Sequence, residues 1–169
     1  ANGEFNKIQQ LWRLCDLPTK ETIEHVILWS VNSLLSLAQY DYPYPTNFEA
    51  PLDAYPVTQA CQLMATIDSP IEALGKAVGL FYNGTGGSLP CYDTKSEFIE
   101  CADYTGCGLG DDGTAWDYQV CTQFVYLPNT NGKSDIFPPH KFDFDDLKSY
   151  CFGKYGVTPD PFVLNLDFA

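Results

Sequence analysis

Basic residues are scarce in this sequence: nine Lys and Arg stand against 22 Asp and Glu, a formal net charge of −13 at pH 7. Such a surface repels a phosphate backbone, so nucleic acid is excluded as an expected partner. Long apolar runs are missing as well, and no stretch of 18 or more apolar residues offers a membrane span. Histidine is reduced to His25 and His140, far apart in the chain, and no Cys-x-x-Cys pair is present. A structural zinc site needs four closely arranged sulfur or nitrogen ligands, and none is announced. Asp103, Asp111, Asp112 and Asp117 do not fit the calcium-loop pattern D-x-[DN]-x-[DN]-G. No metal and no cofactor is expected.

What is present bounds the class. The length of 169 residues suits one domain with a real core, and 45% hydrophobic with 15% aromatic residues excludes disorder. The acidic surface is compatible with a lysosome or gut lumen, and equally with an ordinary secreted protein. Seven cysteines, at positions 15, 61, 91, 101, 107, 121 and 151, are scattered in the manner of disulfides from an oxidising compartment. An odd count leaves at least one thiol without a partner in the chain. Asn83-Gly84-Thr85 is a glycosylation sequon in a turn-like segment, in keeping with a secretory route. No leader-like stretch opens the chain; "ANGEF" reads as the interior of something longer or as an artificial start.

The periodicity predicts a mainly helical body with an irregular second half. Phe5, Ile8, Leu11, Trp12 and Cys15 recur at helical spacing up to a break at Leu17-Pro18. Thr19 is placed to cap a second helix, whose face runs Ile23, Val26, Ile27, Ser30, Val31, Leu34, Leu35 and Ala38, with Leu28, Trp29 and Leu37 widening the apolar surface as in a helix packed on more than one side. "YDYPYPTNFEAPLDAYP" then forbids both helix and central strand and reads as an extended aromatic crossing. Pro56 suits the first position of a third helix, and Asp68-Ser69-Pro70 start a fourth. Residues 83–115 read as Gly- and Asp-rich loop, "AWDYQVCTQFVYL" fits helix and strand alike, and a last helix is expected from Phe144 to Tyr155, between Asp143 and Gly156. No internal boundary is visible.

Catalytic machinery is hard to find. "GTGGSLP" puts Pro90 where a nucleophile elbow needs its last glycine, so Ser88 reads as a loop serine. His140 in "FPPHKF" has no recognisable nucleophile beside it, and no G-x-x-x-x-G-K-[ST] loop exists. The residues alone describe a non-catalytic, disulfide-stapled helical domain.

Four segments taken together are more specific. "YDYPYPTNFEAPLDAYPV", "AWDYQVCTQF", "SDIFPP" and "YCFGKYGVTPDPF" resemble, in order and across nearly the whole chain, the prolyl carboxypeptidase and dipeptidyl peptidase II family of serine exopeptidases. The resemblance implies that residues 1–169 are a single cap domain, mostly helical, of the kind inserted in an α/β-hydrolase fold. The nucleophilic serine would precede it, and the catalytic aspartate and histidine would follow it. It further implies disulfides Cys15 to Cys91, Cys101 to Cys107 and Cys121 to Cys151, leaving Cys61, whose family partner lies upstream of residue 1.

"CADYTGCG" is similar to a disulfide loop of dipeptidyl peptidase II, in which an aspartate holds the substrate's free α-amino group. The matching residue is Asp103. A fixed anion suits that task, because a charge-assisted hydrogen bond to ammonium is strong. Tyr126 falls where the carboxypeptidase branch lines its proline pocket with an apolar residue. Gln123 replaces a usual acidic residue and Ile136 a common Met, whereas Trp116 and Gln119 are expected to pack. The expected function is thus that of a cap in a secreted or lysosomal exopeptidase releasing N-terminal dipeptides with penultimate Pro or Ala. The alternatives are a carboxypeptidase-type cap, which needs no Asp103, and a non-catalytic secreted module. The expected partners are a peptide substrate and the α/β-hydrolase domain of the same protein.

Overall fold

Prolines set the starts of two helices in the first part of the chain, and glycines inside one of them let aromatic rings pack on it. The computed structural model describes residues 2–99, 101–103, 106–107, 110–125 and 129–163. The chain divides into two compact units, Ala1–Glu97 and Phe98–Ala169. It is mainly helical, its named strands are two residues long each, and three disulfides staple it. No described helix is long and apolar enough to cross a membrane.

In the first unit, α1 (Asn2–Trp12) and α2 (Ile23–Gln39) are followed by a two-stranded antiparallel hairpin, β1 (Thr46–Asn47) and β2 (Pro51–Leu52). Then come α3 (Pro56–Thr66), α4 (Pro70–Asn83) and the single turn α5 (Thr94–Glu97). Helix α1 ends earlier than the sequence predicts. Arg13 takes a left-handed φ of 55°, and Cys15 N–H then donates to Tyr92 O at 2.9 Å beside the Cys15–Cys91 disulfide. Thr19 caps only a preliminary turn, accepting from Glu21 N–H at 3.2 Å, and the regular helix starts at Ile23. Helices α3 and α4 begin at their prolines as expected, and the Ser69 hydroxyl accepts the Glu72 N–H at 3.4 Å.

Helix α4 is the packing hub of this unit. A Cβ at Gly75 would overlap the Trp12 indole, and one at Gly79 would lie 2.5 Å from the Tyr92 hydroxyl. The missing side chains let both aromatic rings lie directly on the helix. Trp29 is fully buried and stacks on Tyr82, with ring centres 4.6 Å apart and planes 9° from parallel. The buried face of α2 takes Val26, Trp29, Ser30, Val31 and Leu37 from the predicted surface, but it includes Ser33 and leaves Ile27 exposed. The cause is polar. Ser33 donates to Val78 O on α4 at 2.8 Å, and a small hydroxyl lets the two backbones approach where a leucine would hold them apart. Burying side chains such as Val78 and Leu37 completely stabilises by roughly 1.5–3 kcal/mol each.

The second unit holds α6 (Gly110–Thr122) and α7 (Phe144–Tyr155). The loop expected over 83–115 is interrupted within by α5 and cut short at its end by the first turns of α6. Asp111 and Asp112 explain the latter, since carboxylates favour a helix N-terminus. Helix α7 has the predicted bounds. Asp143 caps it by accepting from Asp145 N–H at 2.8 Å, and Gly156 closes it with φ 68°. Val120, Cys121, Leu147 and Cys151 form the buried centre.

Candidate functional site

"AWDYQVCTQF" resolves as helix because that register puts Asp117, Val120 and Cys121 on one buried face, three and four residues apart. The Cys121–Cys151 disulfide ties this face to α7. It also brings Asp117, 1% exposed, under the last two turns of α7. Asp117 Oδ2 accepts from the Tyr155 hydroxyl at 2.6 Å, the Tyr150 hydroxyl at 2.8 Å and the Lys154 ammonium. Its Oδ1 accepts from the Ala102 N–H at 2.8 Å. Burial pushes this carboxyl up, but the bonds from Lys154, Tyr155, Ala102 and Tyr150 outweigh it and hold it below the usual range. Lys154 is correspondingly raised, first by its bond to Asp117.

Ala102 opens the short loop closed by the Cys101–Cys107 disulfide. Asp103, next in sequence, is buried at 3% exposure. Its Oδ2 accepts from the Trp116 indole N–H at 3.2 Å, and its carbonyl accepts from Gly106 N–H at 2.9 Å. Cys101, Cys107 and Asp117 lie close enough to suggest a metal. Both sulfurs, however, are consumed in the disulfide, so the donor set does not fit an ion.

The first unit carries a second polar feature. Glu97 on α5 accepts from the Trp29 indole N–H at 3.0 Å and from the Asp93 N–H at 3.1 Å. Desolvation, with Asp93 and Glu49 adding negative charge, pushes its carboxyl up to about 7 despite these bonds. An open cavity of about 510 Å³ lies nearby in sequence terms, lined by residues that include Leu14, Thr22, His25, Tyr92 and Lys95.

The remaining predicted residues fall as follows. Cys61 is a free, exposed thiol on α3. Asn83 ends α4 half-buried, its Oδ1 accepting from Leu89 N–H at 3.0 Å. Ser88 is exposed, and His140 pairs through its backbone with Thr130. Trp116 packs on the core, but Gln119, expected to pack as well, is exposed on the outer face of α6. Ile136 is 77% exposed. Tyr126 lies outside the described residues. Sequence reasoning missed Asp117 and Glu97. A helical reading of α6 would have flagged Asp117 as a carboxylate among apolar neighbours, whereas nothing in "DTKSE" signals the burial of Glu97.

The model of the serine carboxypeptidase S28 family matches residues 7–165, and the chain belongs to that family. It is 31% identical over 153 residues to the lysosomal Pro-X carboxypeptidase of Homo sapiens, covering 88% of this chain and 29% of that protein. To the Mus musculus protein of the same name it is 28% identical over 165 residues, covering 95% and 32%. To the prolyl carboxy peptidase like protein 5 of Caenorhabditis elegans it is 32% identical over 129 residues, covering 72% and 24%. The chain thus spans a quarter to a third of the length of these relatives. Their names belong to the carboxypeptidase branch, which the sequence reading held as its alternative to dipeptidyl peptidase II.

Proposed function

We propose that residues 1–169 form the cap of a serine exopeptidase that removes the C-terminal residue following a proline, the work named in its carboxypeptidase relatives. The family match across 7–165 together with those names carries this reading. The cap would close the cleft and read a chain end, while serine acyl-enzyme chemistry proceeds on the α/β-hydrolase portion of the same protein. The relatives termed lysosomal and the three disulfides support a secretory or lysosomal location.

A second reading, release of N-terminal dipeptides, is favoured by one observation: the carboxylate of Asp103 stands on a loop closed by its own disulfide. To hold the substrate's α-ammonium there, Asp103, which is buried and bonded to the Trp116 indole, would have to open to the cleft. On a tripeptide Xaa-Pro-Phe both activities cut the same bond, so only blocked ends separate them. The intact enzyme acting as a carboxypeptidase cleaves acetyl-Ala-Pro-Phe and spares Ala-Pro-Phe-amide; the dipeptidyl reading requires the reverse. Cleavage of neither, with no labelling of a serine by a fluorophosphonate, would leave a non-catalytic module.

A further inference from the structure

Tyr55 takes a backbone conformation that its side chain does not explain from within the first unit. Its φ and ψ, both 56°, are left-handed, a costly choice for an aromatic residue where glycine or asparagine would serve. Arg13, the other non-glycine residue of this kind among the described residues, uses its side chain at home, reaching the Leu89 and Pro90 carbonyls. Tyr55 is held through its backbone, its N–H donating to Tyr42 O at 2.9 Å. Its ring is 52% exposed and makes no hydrogen bond or ring stack among the described residues. Strain of this kind persists where function requires the side chain.

The same segment presents further rings. Tyr42 and Tyr44 stack with centres 5.3 Å apart and planes 13° from parallel, and Phe48 stacks on Tyr40 at 4.3 Å. Tyr42, Tyr44 and Phe48 are all exposed. The segment is braced: Thr85 N–H donates to Pro51 O at 3.0 Å, and Asp41 accepts from Val57 N–H at 3.2 Å. Four aromatic rings presented in this way have the composition of an interface centre rather than of a free surface. None of them lines the cavity of this unit, which favours a broad protein face over a small ligand. No Lys or Arg occurs between Lys20 and Lys76, whereas Asp41, Glu49 and Asp53 flank the rings. A second copy of the chain would set these charges against each other, so a face of different sequence, with basic groups at its rim, is the better fit. The matched relatives are three to four times as long as the part this chain covers, which leaves ample polypeptide to supply that face.

We infer that Tyr42, Tyr44, Phe48 and Tyr55 form the surface by which residues 1–169 dock onto the rest of the polypeptide, against a face apolar at its centre and basic at its rim. The inference rests on the proposed function in one respect, that the protein continues into a catalytic portion. It adds which face of the cap meets that portion.

The test is hydroxyl-radical footprinting of the intact enzyme, read by mass spectrometry against a tryptic digest of the same protein. Uncovered rings that are 40–63% exposed should oxidise only about twofold more slowly in the native enzyme than in the digest, whereas rings in an interface centre should be slowed by about tenfold or more, towards the fully buried Trp29. Slowing of only about twofold at all four overturns the inference. So does protection that vanishes on dilution as the mass halves, which would identify a second copy as the cover. Tyr55→Asn suits the left-handed backbone and removes the ring; it should raise oxidation of Tyr42 and Tyr44 by about threefold or more, and Tyr55→Phe should not. Equal oxidation in the two variants counts against the inference. Should Tyr55→Asn not accumulate, the wild-type footprint still decides. An enzyme that cleaves acetyl-Ala-Pro-Phe with all four rings unprotected overturns the inference alone. Protected rings in a protein that cleaves neither blocked peptide overturn the proposed activity and leave the docking surface standing.

Discussion

Replacing Glu97 with glutamine should remove much of the pH dependence of the first unit's stability. The carboxyl is desolvated between α5 and the Trp29 indole, and burial raises it from an ordinary 4.5 to about 7. The folded state therefore holds a proton more tightly than the unfolded chain. Stability from this group is fully present below about pH 4.5 and is lost as pH rises through 7. At ~1.4 kcal/mol per tenfold change in proton affinity the ceiling is ~3 kcal/mol. Glu97 is only half-buried, so solvent screening reduces this to about 1–2 kcal/mol. Glutamine keeps one oxygen to accept from Trp29 or Asp93 and cannot ionise. Urea unfolding of the chain with its disulfides intact, followed by tryptophan fluorescence from pH 5 to pH 8, should show the wild type losing that stability relative to Glu97→Gln. Glu24→Gln, at an exposed position of α2, controls for the change in net charge. A wild-type to Glu97→Gln difference that stays constant across this range would refute the reasoning.

Further outcomes follow from the packing and the staples. Gly79→Ala drives a methyl into the Tyr92 hydroxyl, and should cost about 1–3 kcal/mol as overpacking, read from the urea midpoint. Replacing both Cys121 and Cys151 with serine frees a loop of 30 residues; a loss of about 3–4 kcal/mol is expected, measured by thermal unfolding without reductant. The purified 169-residue chain should hydrolyse neither acetyl-Ala-Pro-Phe nor Ala-Pro-Phe-amide, and steady turnover of either by homogeneous protein would contradict the cap reading.

How much was legible in the sequence depended on how local the signal was. Proline placement marked the starts of α3 and α4, and Asp143 and Gly156 bracketed α7. Helix α6 was ambiguous because Trp116, Val120 and Cys121 satisfy two periods at once, and its Gly- and Asp-rich first turn looks like loop until the dipole is considered. The face of α2 was misjudged at Ser33, left off it because serine counts as polar, and at Ile27, which is exposed. Ser30 bonds back to Val26 O and Ile27 O, and Ser33 bonds to Val78 O, so both can be buried.

The sequence by itself determined the helical class, the starts of α3 and α4, both ends of α7, an acidic surface and a cysteine pattern suited to an oxidising compartment. These rest on propensity, capping and composition, which act within about four residues or on the chain as a whole. Tertiary structure alone decided that Glu97 lies against Trp29, 68 residues away, and that Asp117 gathers Tyr150, Lys154 and Tyr155 from more than 30 residues away. Burial and bonding partners belong to the assembled unit. A carboxylate reads the same in the sequence whether water or four donors will surround it, and only packing makes the difference.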